Sequence, residues 1–231
     1  MKILRTVLAM ATVVLSSHIA SGQAFANLDF EDTTITAVLI NPFSDIYAYI
    51  GTLPGWTWSP LGNAAGVNPD TEVSLNTIVL NAPAVTLHGL DDIGYPAIEG
   101  NYSILLQGGG SRSVPVTSYS AIWQTGQVPS NARSITYWGG ALQVTFNGQP
   151  LAPVAIGNAA NYTIWGADIS AYAGQTGELR FTIPWLPTSS SDGALLDNIQ
   201  FSLMQVPEPS SLVLCGLSLL FVLGTRLIRT V

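Results

Sequence analysis

The 231-residue chain carries 7 Lys and Arg against 14 Asp and Glu, and charged residues make up 9% of it. Between residues 27 and 205 there is no lysine, and Arg112, Arg133 and Arg180 stand against 13 carboxylates; such a surface repels a phosphate backbone and excludes nucleic acid as a partner. The one cysteine, Cys215, excludes an internal disulfide and a cysteine-based metal site.

The N-terminus reads as a secretory signal peptide. Lys2 and Arg5 form a positive start, and residues 7–15 an apolar run too short to span a bilayer. Ala24-Phe25-Ala26 fits the small-x-small cleavage pattern through Ala24 and Ala26, which predicts a mature chain from Asn27. No cysteine follows the run, so an N-terminal lipoprotein is excluded.

Residues 27–205 are rich in Gly, Ser, Thr, Asn and Pro, the make-up of a turn-rich β domain. Short β-type runs are predicted at 27–32, 35–40, 72–80, 103–107, 118–124, 133–138 and 162–165. Three more alternate cleanly. Leu142, Val144 and Phe146 share one face, and Asn147-Gly148 follows as a hairpin turn. Leu179, Phe181 and Ile183 share a face, as do Ile199, Phe201 and Leu203. One buried and one wet face per strand predicts an antiparallel all-β fold, a sandwich or jelly roll. Residues 41–70 are poorer in strand signal and read as a long excursion. No repeat and no second domain is visible.

The C-terminus has three parts in order: Val206-Pro207-Glu208-Pro209-Ser210-Ser211, an apolar run at 212–224 from Leu212 to Gly224, and a close with Arg226 and Arg229. As a helix the 13-residue run reaches about 20 Å, short of a ~30 Å hydrocarbon core. Continuing to Ile228 with snorkelling arginines makes a transmembrane helix feasible. Positive residues after the run keep the tail's end in the cytoplasm, and the middle domain on the far side.

This order resembles the PEP-CTERM sorting signal of Gram-negative bacteria, over residues 206–231. The resemblance implies that Pro207, Glu208 and Pro209 are a substrate motif, read and cut by an exosortase-type membrane enzyme after an export translocase has moved the chain. The expected address is the cell envelope, its outer surface or the medium, with the membrane helix at least a transient anchor.

In the middle domain, several phrases together resemble carbohydrate-binding-module-like, or galactose-binding-like, jelly rolls. They are Asn27-Leu28-Asp29-Phe30-Glu31, Leu53-Pro54-Gly55-Trp56, Gly100-Asn101-Tyr102-Ser103, Trp123-Gln124-Thr125, the run from Asp168 to Gln175, and Leu196-Asp197-Asn198-Ile199. Jelly rolls of that type often carry a structural Ca²⁺ between their first and last strands. By that resemblance Glu31 and Asp197 would be its ligands. Independently, Asp197 shares strand parity with Ile199, so it is expected to point inward and to need a partner; backbone hydrogen bonds in a turn are the other way to supply one.

Catalytic groups are scarce. After leader removal the only histidine is His88, and no G-x-S-x-G elbow is present. Gly108-Gly109-Gly110 lacks a following lysine, so it reads as a loop. Glycoside hydrolysis needs two carboxylates, and Glu31, Asp70, Glu72, Asp91, Asp92 and Glu99 are candidates. Six tryptophans could stack on sugars. Trp123 and Trp138 are expected in the core. Trp56 and Trp58, two apart, and Trp185, between prolines, are the candidates for glycan contact. The expectation is a non-catalytic exported surface or matrix protein that could bind polysaccharide; a carbohydrate-active hydrolase and a ligand-free scaffold are the alternatives.

Overall fold

The computed structural model describes residues 22–41, 46–59, 72–79, 82–109, 119–184 and 193–206. Residues 1–21, where the signal peptide is expected, and Asp70, Trp185, Cys215, Pro207, Glu208, Pro209, Leu212, Gly224, Arg226 and Arg229 lie outside these. Among the described residues, no helix is long and apolar enough to cross a membrane.

The described chain is all-β, its named strands pairing antiparallel, with one short 3₁₀ turn at Ser170–Tyr172. The strands in order are β1 (Ile35–Asn41), β2 (Ile46–Thr52), β3 (Thr57–Ser59), β4 (Glu72–Ser74), β5 (Pro83–Gly89), β6 (Tyr102–Gly108) and β7 (Tyr119–Gln127). They continue as β8 (Ser134–Gly139), β9 (Gln143–Phe146), β10 (Gln149–Pro150), β11 (Val154–Asn158), β12 (Thr163–Asp168), β13 (Thr176–Pro184) and β14 (Gly193–Ser202). They form a three-stranded sheet, β1-β2-β4, a five-stranded sheet, β10-β9-β13-β7-β3, and a six-stranded sheet, β11-β12-β8-β14-β6-β5.

The two larger sheets enclose one core. The five-stranded sheet turns Val144, Phe146, Leu179, Phe181, Ile183, Ile122 and Trp58 inward. The six-stranded sheet answers with Val85, Leu87, Ile104, Leu106, Ala194, Leu196, Tyr137, Ile135 and Ala167. Phe30 and Trp56 close the gap, with ring centroids 5.5 Å apart. The alternation read in 142–146 and 178–183 therefore lands on the faces it predicted. The Asn147-Gly148 turn forms too, both residues at positive φ, where an Asn-Gly pair is least strained.

Other expectations are corrected. Residues 27–32 form turns, not a strand: Asn27 and Phe30 adopt φ of 49° and 57°. Of the run at 72–80 only β4 is strand. The excursion at 41–70 contains β2 and β3. β5 escaped notice because six of its seven residues are buried, which erases alternation.

Both chain exits of the described domain lie at one end. Gly22 sits beside Thr176 and Gln127, where β13 begins and β7 ends. Met204 is tied by Ser134 Oγ at 2.7 Å, at the start of β8, and Val206 lies against Gly166 in β12.

Candidate functional site

The outer face of β5, β6 and β14 is covered, and beside Ala84 and Leu105 it buries polar side chains. Thr86, His88, Ser103, Gln107 and Asp197 are all within 1% of complete burial. The cover is the connection from Leu90 to Asn101, with residues 76–79 beside it. Tyr95 meets His88 edge-on at 6.0 Å, and Val79 exchanges two hydrogen bonds with the Gln107 amide.

His88 has two side-chain oxygens beside it, and the Thr77 backbone near its ring as well. Its Nε2 is 2.9 Å from Thr86 Oγ1, and its Nδ1 is 3.3 Å from Asp92 Oδ2, without the alignment of a good hydrogen bond. Burial lowers the imidazole pKa, opposed by the Asp92 carboxylate, so the ring is neutral at pH 7. Burial works against the charge of Asp92. The N–H groups of Tyr95 and Gly94, each 2.7 Å from Oδ1, outweigh it with His88's help and hold Asp92 below the usual carboxylate range. Hydroxyl, imidazole and carboxylate thus stand in the order of a nucleophilic relay. Thr86 and His88 have no exposed surface, so no substrate reaches the hydroxyl. This trio pins the turn at 92–95.

Glu31 and Asp197 meet at the same connection, from two sides. Glu31 Oε1 accepts the N–H of Asn101 at 2.7 Å and of Tyr102 at 3.0 Å, and Oε2 accepts Asn101 Nδ2 at 2.8 Å. Gly100, at φ +59°, leaves the space the Glu31 carboxylate fills. Asp197 Oδ2 accepts Ser103 Oγ at 2.6 Å and Glu99 N at 3.2 Å, and Oδ1 accepts Asn198 N at 2.7 Å. Three of the phrases that carry the jelly-roll resemblance therefore converge on residues 99–103. Every one of these carboxylate oxygens faces a donor, and no cluster of three metal-ligating side chains occurs among the described residues. As placed, the pair fits a hydrogen-bond clasp and does not fit a Ca²⁺ cage.

The inward orientation expected of Asp197 is corrected. Register shifts between Asp197 and Gln200, with Asn198 at φ +44°, and the extra residue reverses the parity. Leu196 and Ile199 stay in the core while Asp197 turns to the outer face beside Ser103.

The tryptophans also change places. Trp56 and Trp58 are 5% and 8% exposed and belong to the core, so neither offers a face to a sugar. Trp56 donates from Nε1 to Asn27 O at 2.8 Å. Trp123 and Trp138 are half-buried on outer faces instead. Arg180 lies 4.0 Å over the Trp123 ring, and Trp138 stacks on Tyr162 at 4.9 Å and 13°.

That stack borders an open cleft of about 450 Å³. Tyr95 and Ile98 form one wall, and the β11–β12 turn, with Asn158, Asn161, Tyr162 and Thr163, forms the other. Gly139, Gly140 and residues 193–195 make the floor. No lining residue is charged. Thr163 Oγ1 and Asn158 Oδ1 are hydrogen-bonded at 3.2 Å, and Ala159 N to Tyr162 O at 2.9 Å fixes the turn. The cleft sits at the Gly139 end of β8, while both chain exits sit at the Ser134 end. Six strand residues separate them, about 17–20 Å.

No protein-family model matches the chain, and no curated protein matches it. Among solved structures, it is similar to the enzymatically active domain of tailspike protein 4 of bacteriophage CBA120, at 14% identity and a TM-score of 0.34. That likeness covers 65% of this chain and 20% of the other. It is similar also to VesC, a secreted serine protease of Vibrio cholerae, at 11% identity and a TM-score of 0.29, over 81% of this chain and 45% of that one. The chain thus spans less than half the length of either.

Of the carboxylates named from sequence, Glu31 and Asp92 are held by backbone N–H groups, and Asp91 and Glu99 are exposed. Sequence reasoning missed the cleft. Its lining comes from four separate segments, and the one local signal was the pair of tyrosines in Gly94-Tyr95 and Asn161-Tyr162.

Proposed function

We propose that this protein is exported, sorted by its C-terminal tail and held at least transiently at the cell envelope, where a non-catalytic jelly-roll sandwich binds a neutral glycan. The observation that carries the glycan reading is the uncharged cleft, where two tyrosines stand among Asn158, Asn161 and Thr163. Sugars present C–H faces to aromatic rings and hydroxyls to amides, and a polyol without charge needs no counter-charge. Tyr162 is preorganised by its stack on Trp138, which lowers the ordering cost of binding. The position of the cleft also supports the reading: with both chain exits at one end, a domain tethered by its tail turns the cleft away from the membrane.

The binding test is calorimetric titration of the exported protein with neutral and uronic-acid oligosaccharides. Neutral sugars should bind, and Tyr162→Ala should weaken them by about tenfold or more. Equal affinity in wild type and variant would refute the cleft, and no binding to any sugar would leave a scaffold. Intact-mass measurement from the native host tests the sorting: a chain ending near Pro209 supports it, and one running to Val231 argues for a permanent anchor.

A further inference from the structure

The residues just ahead of Asn27 are part of the folded domain. Gln23 O accepts the N–H of Gln127 at 2.7 Å, and Ala24 bridges Gln127 in parallel, extending the five-stranded sheet. Ala26 makes a closed pair of bonds with the Gln124 side chain: its N–H donates to Oε1 at 2.6 Å, and its C=O accepts from Nε2 at 3.0 Å. Gln124 is 6% exposed and points to the core side of β7. Phe25 packs on Phe201 of the six-stranded sheet at 5.4 Å, and lies so close over Gly126 that a Cβ there would stand 2.7 Å from the ring. These four residues fasten the two larger sheets together at the end where the chain leaves the domain.

Three bonds downstream of the apolar run satisfy small-x-small: those after Gly22 (Ala20-Ser21-Gly22), after Ala24 (Gly22-Gln23-Ala24) and after Ala26 (Ala24-Phe25-Ala26). They differ in what the fold loses. A cut after Ala26 removes all four residues, and with them both hydrogen bonds to the Gln124 side chain and the packing of Phe25 on Phe201. A cut after Ala24 removes the Gln23 and Ala24 bonds to Gln127. A cut after Gly22 removes none of the contacts just named.

We propose that signal peptidase cleaves the Gly22–Gln23 bond, so that the mature protein begins at Gln23 and keeps Gln23–Ala26 as a clasp between the sheets. This rests on the reading of the N-terminus as an export signal. In the cleavage, one water adds across the amide, leaving a carboxylate on Gly22 of the departing leader and a free amine on Gln23. The position expected from sequence, after Ala26, moves four residues upstream.

N-terminal sequencing and intact mass of the exported full-length protein decide it. Ala24→Leu sharpens the test. Ala24 is exposed, so the fold tolerates leucine, and the change spoils both downstream sites while leaving Ala20 and Gly22 intact. A start at Gln23 in both wild type and Ala24→Leu is the expected result. A start at Phe25 or Asn27, or an Ala24→Leu chain that keeps its leader, overturns the proposal but not export. A wild-type chain still beginning at Met1 overturns export itself. As an independent arm, Phe25→Ala in the exported protein should lower Tm by about 5 °C or more. No change in Tm would remove the clasp.

Discussion

Ser103 donates a 2.6 Å hydrogen bond to Asp197, and neither side chain touches solvent. Burial pushes the Asp197 carboxyl up to about 7 despite the bonds from Ser103, Asn198 and Glu99, and the Glu99 carboxylate adds to the rise. An unfolded aspartate titrates near 3.9, so between about pH 4 and 7 the folded state holds a proton that the unfolded state releases. The stability from this group is complete below pH 4 and is lost as pH rises through 7, at up to about 1.4 kcal/mol per pH unit. Asp197→Asn should flatten the fall of Tm across that window relative to wild type. Parallel Tm–pH curves for the two proteins would show that Asp197 is ionised throughout.

His88 has the opposite sign. Burial lowers its pKa against the pull of Asp92, so the folded state binds the proton less readily than the unfolded chain. Its contribution is present above about pH 6.5 and is lost as pH falls below that value. Nδ1 faces a carboxylate, so the neutral ring should carry its proton there and accept from Thr86 at Nε2. Thr86→Val keeps the shape and removes the donor, and should cost about 1–3 kcal/mol in urea unfolding. Imidazole ¹⁵N shifts should report the Nδ1–H tautomer in wild type. An Nε2–H tautomer would make the ring the donor to Thr86 Oγ1 and leave a bare Nδ1 lone pair facing the Asp92 carboxylate, contrary to this assignment.

What could be read from sequence follows from where side chains go. β9 and β13 alternate because one face is core and the other wet, and both were legible to within two residues. β5 and β6 are buried on both faces, so neither alternates; the run at 103–107 was still read as a strand and is β6, whereas β5 was not read. Asp197 was correctly singled out as a buried carboxylate needing partners, but one bulge residue, Asn198, sent it to the other face. The paired spacing of Trp56 and Trp58 was real and meant core. Trp138 looked like core and became the support of the cleft's tyrosine, because the sheet's outer face there is only partly covered.

Gly139 should tolerate no side chain. It sits at φ +135°, and a Cβ there would stand 1.9 Å from Leu195 O. Its own carbonyl accepts the Trp165 indole N–H at 3.2 Å, so the backbone cannot swing away without breaking that bond. Gly139→Ala should destabilise by about 3 kcal/mol or more, from strain plus a forced separation of β8 and β14. Because Gly139 floors the cleft, sugar affinity should fall with it. Gly148→Ala serves as the contrast: its φ is +75°, but nothing lies within 4 Å, so only the conformational cost of about 1 kcal/mol is expected. Equal losses at the two sites would mean that the β8–β14 contact yields easily.

Glu31 tests whether the clasp on residues 99–103 governs the cleft. Its carboxylate takes three hydrogen bonds from Asn101 and Tyr102, and its neighbour Asp197 takes the next two, from Glu99 and Ser103. Ile98, which lines the cleft, lies directly before this segment, and its N–H donates to Ser103 Oγ at 2.8 Å. Glu31→Ala leaves the Tyr102 N–H half-buried without an acceptor and should cost about 2–3 kcal/mol, since hydrogen bonds to a charged group are each worth about 1.5–3 kcal/mol but this site is partly solvated. Glu31→Gln keeps an acceptor oxygen and should recover about half of that. Adding Ca²⁺ should shift the Tm of neither wild type nor variant, because the oxygens a cation needs already face donors. A Ca²⁺-dependent rise in wild-type Tm that Glu31→Gln abolishes would mean that the segment rearranges to admit the ion, and would restore the metal reading of Glu31 and Asp197.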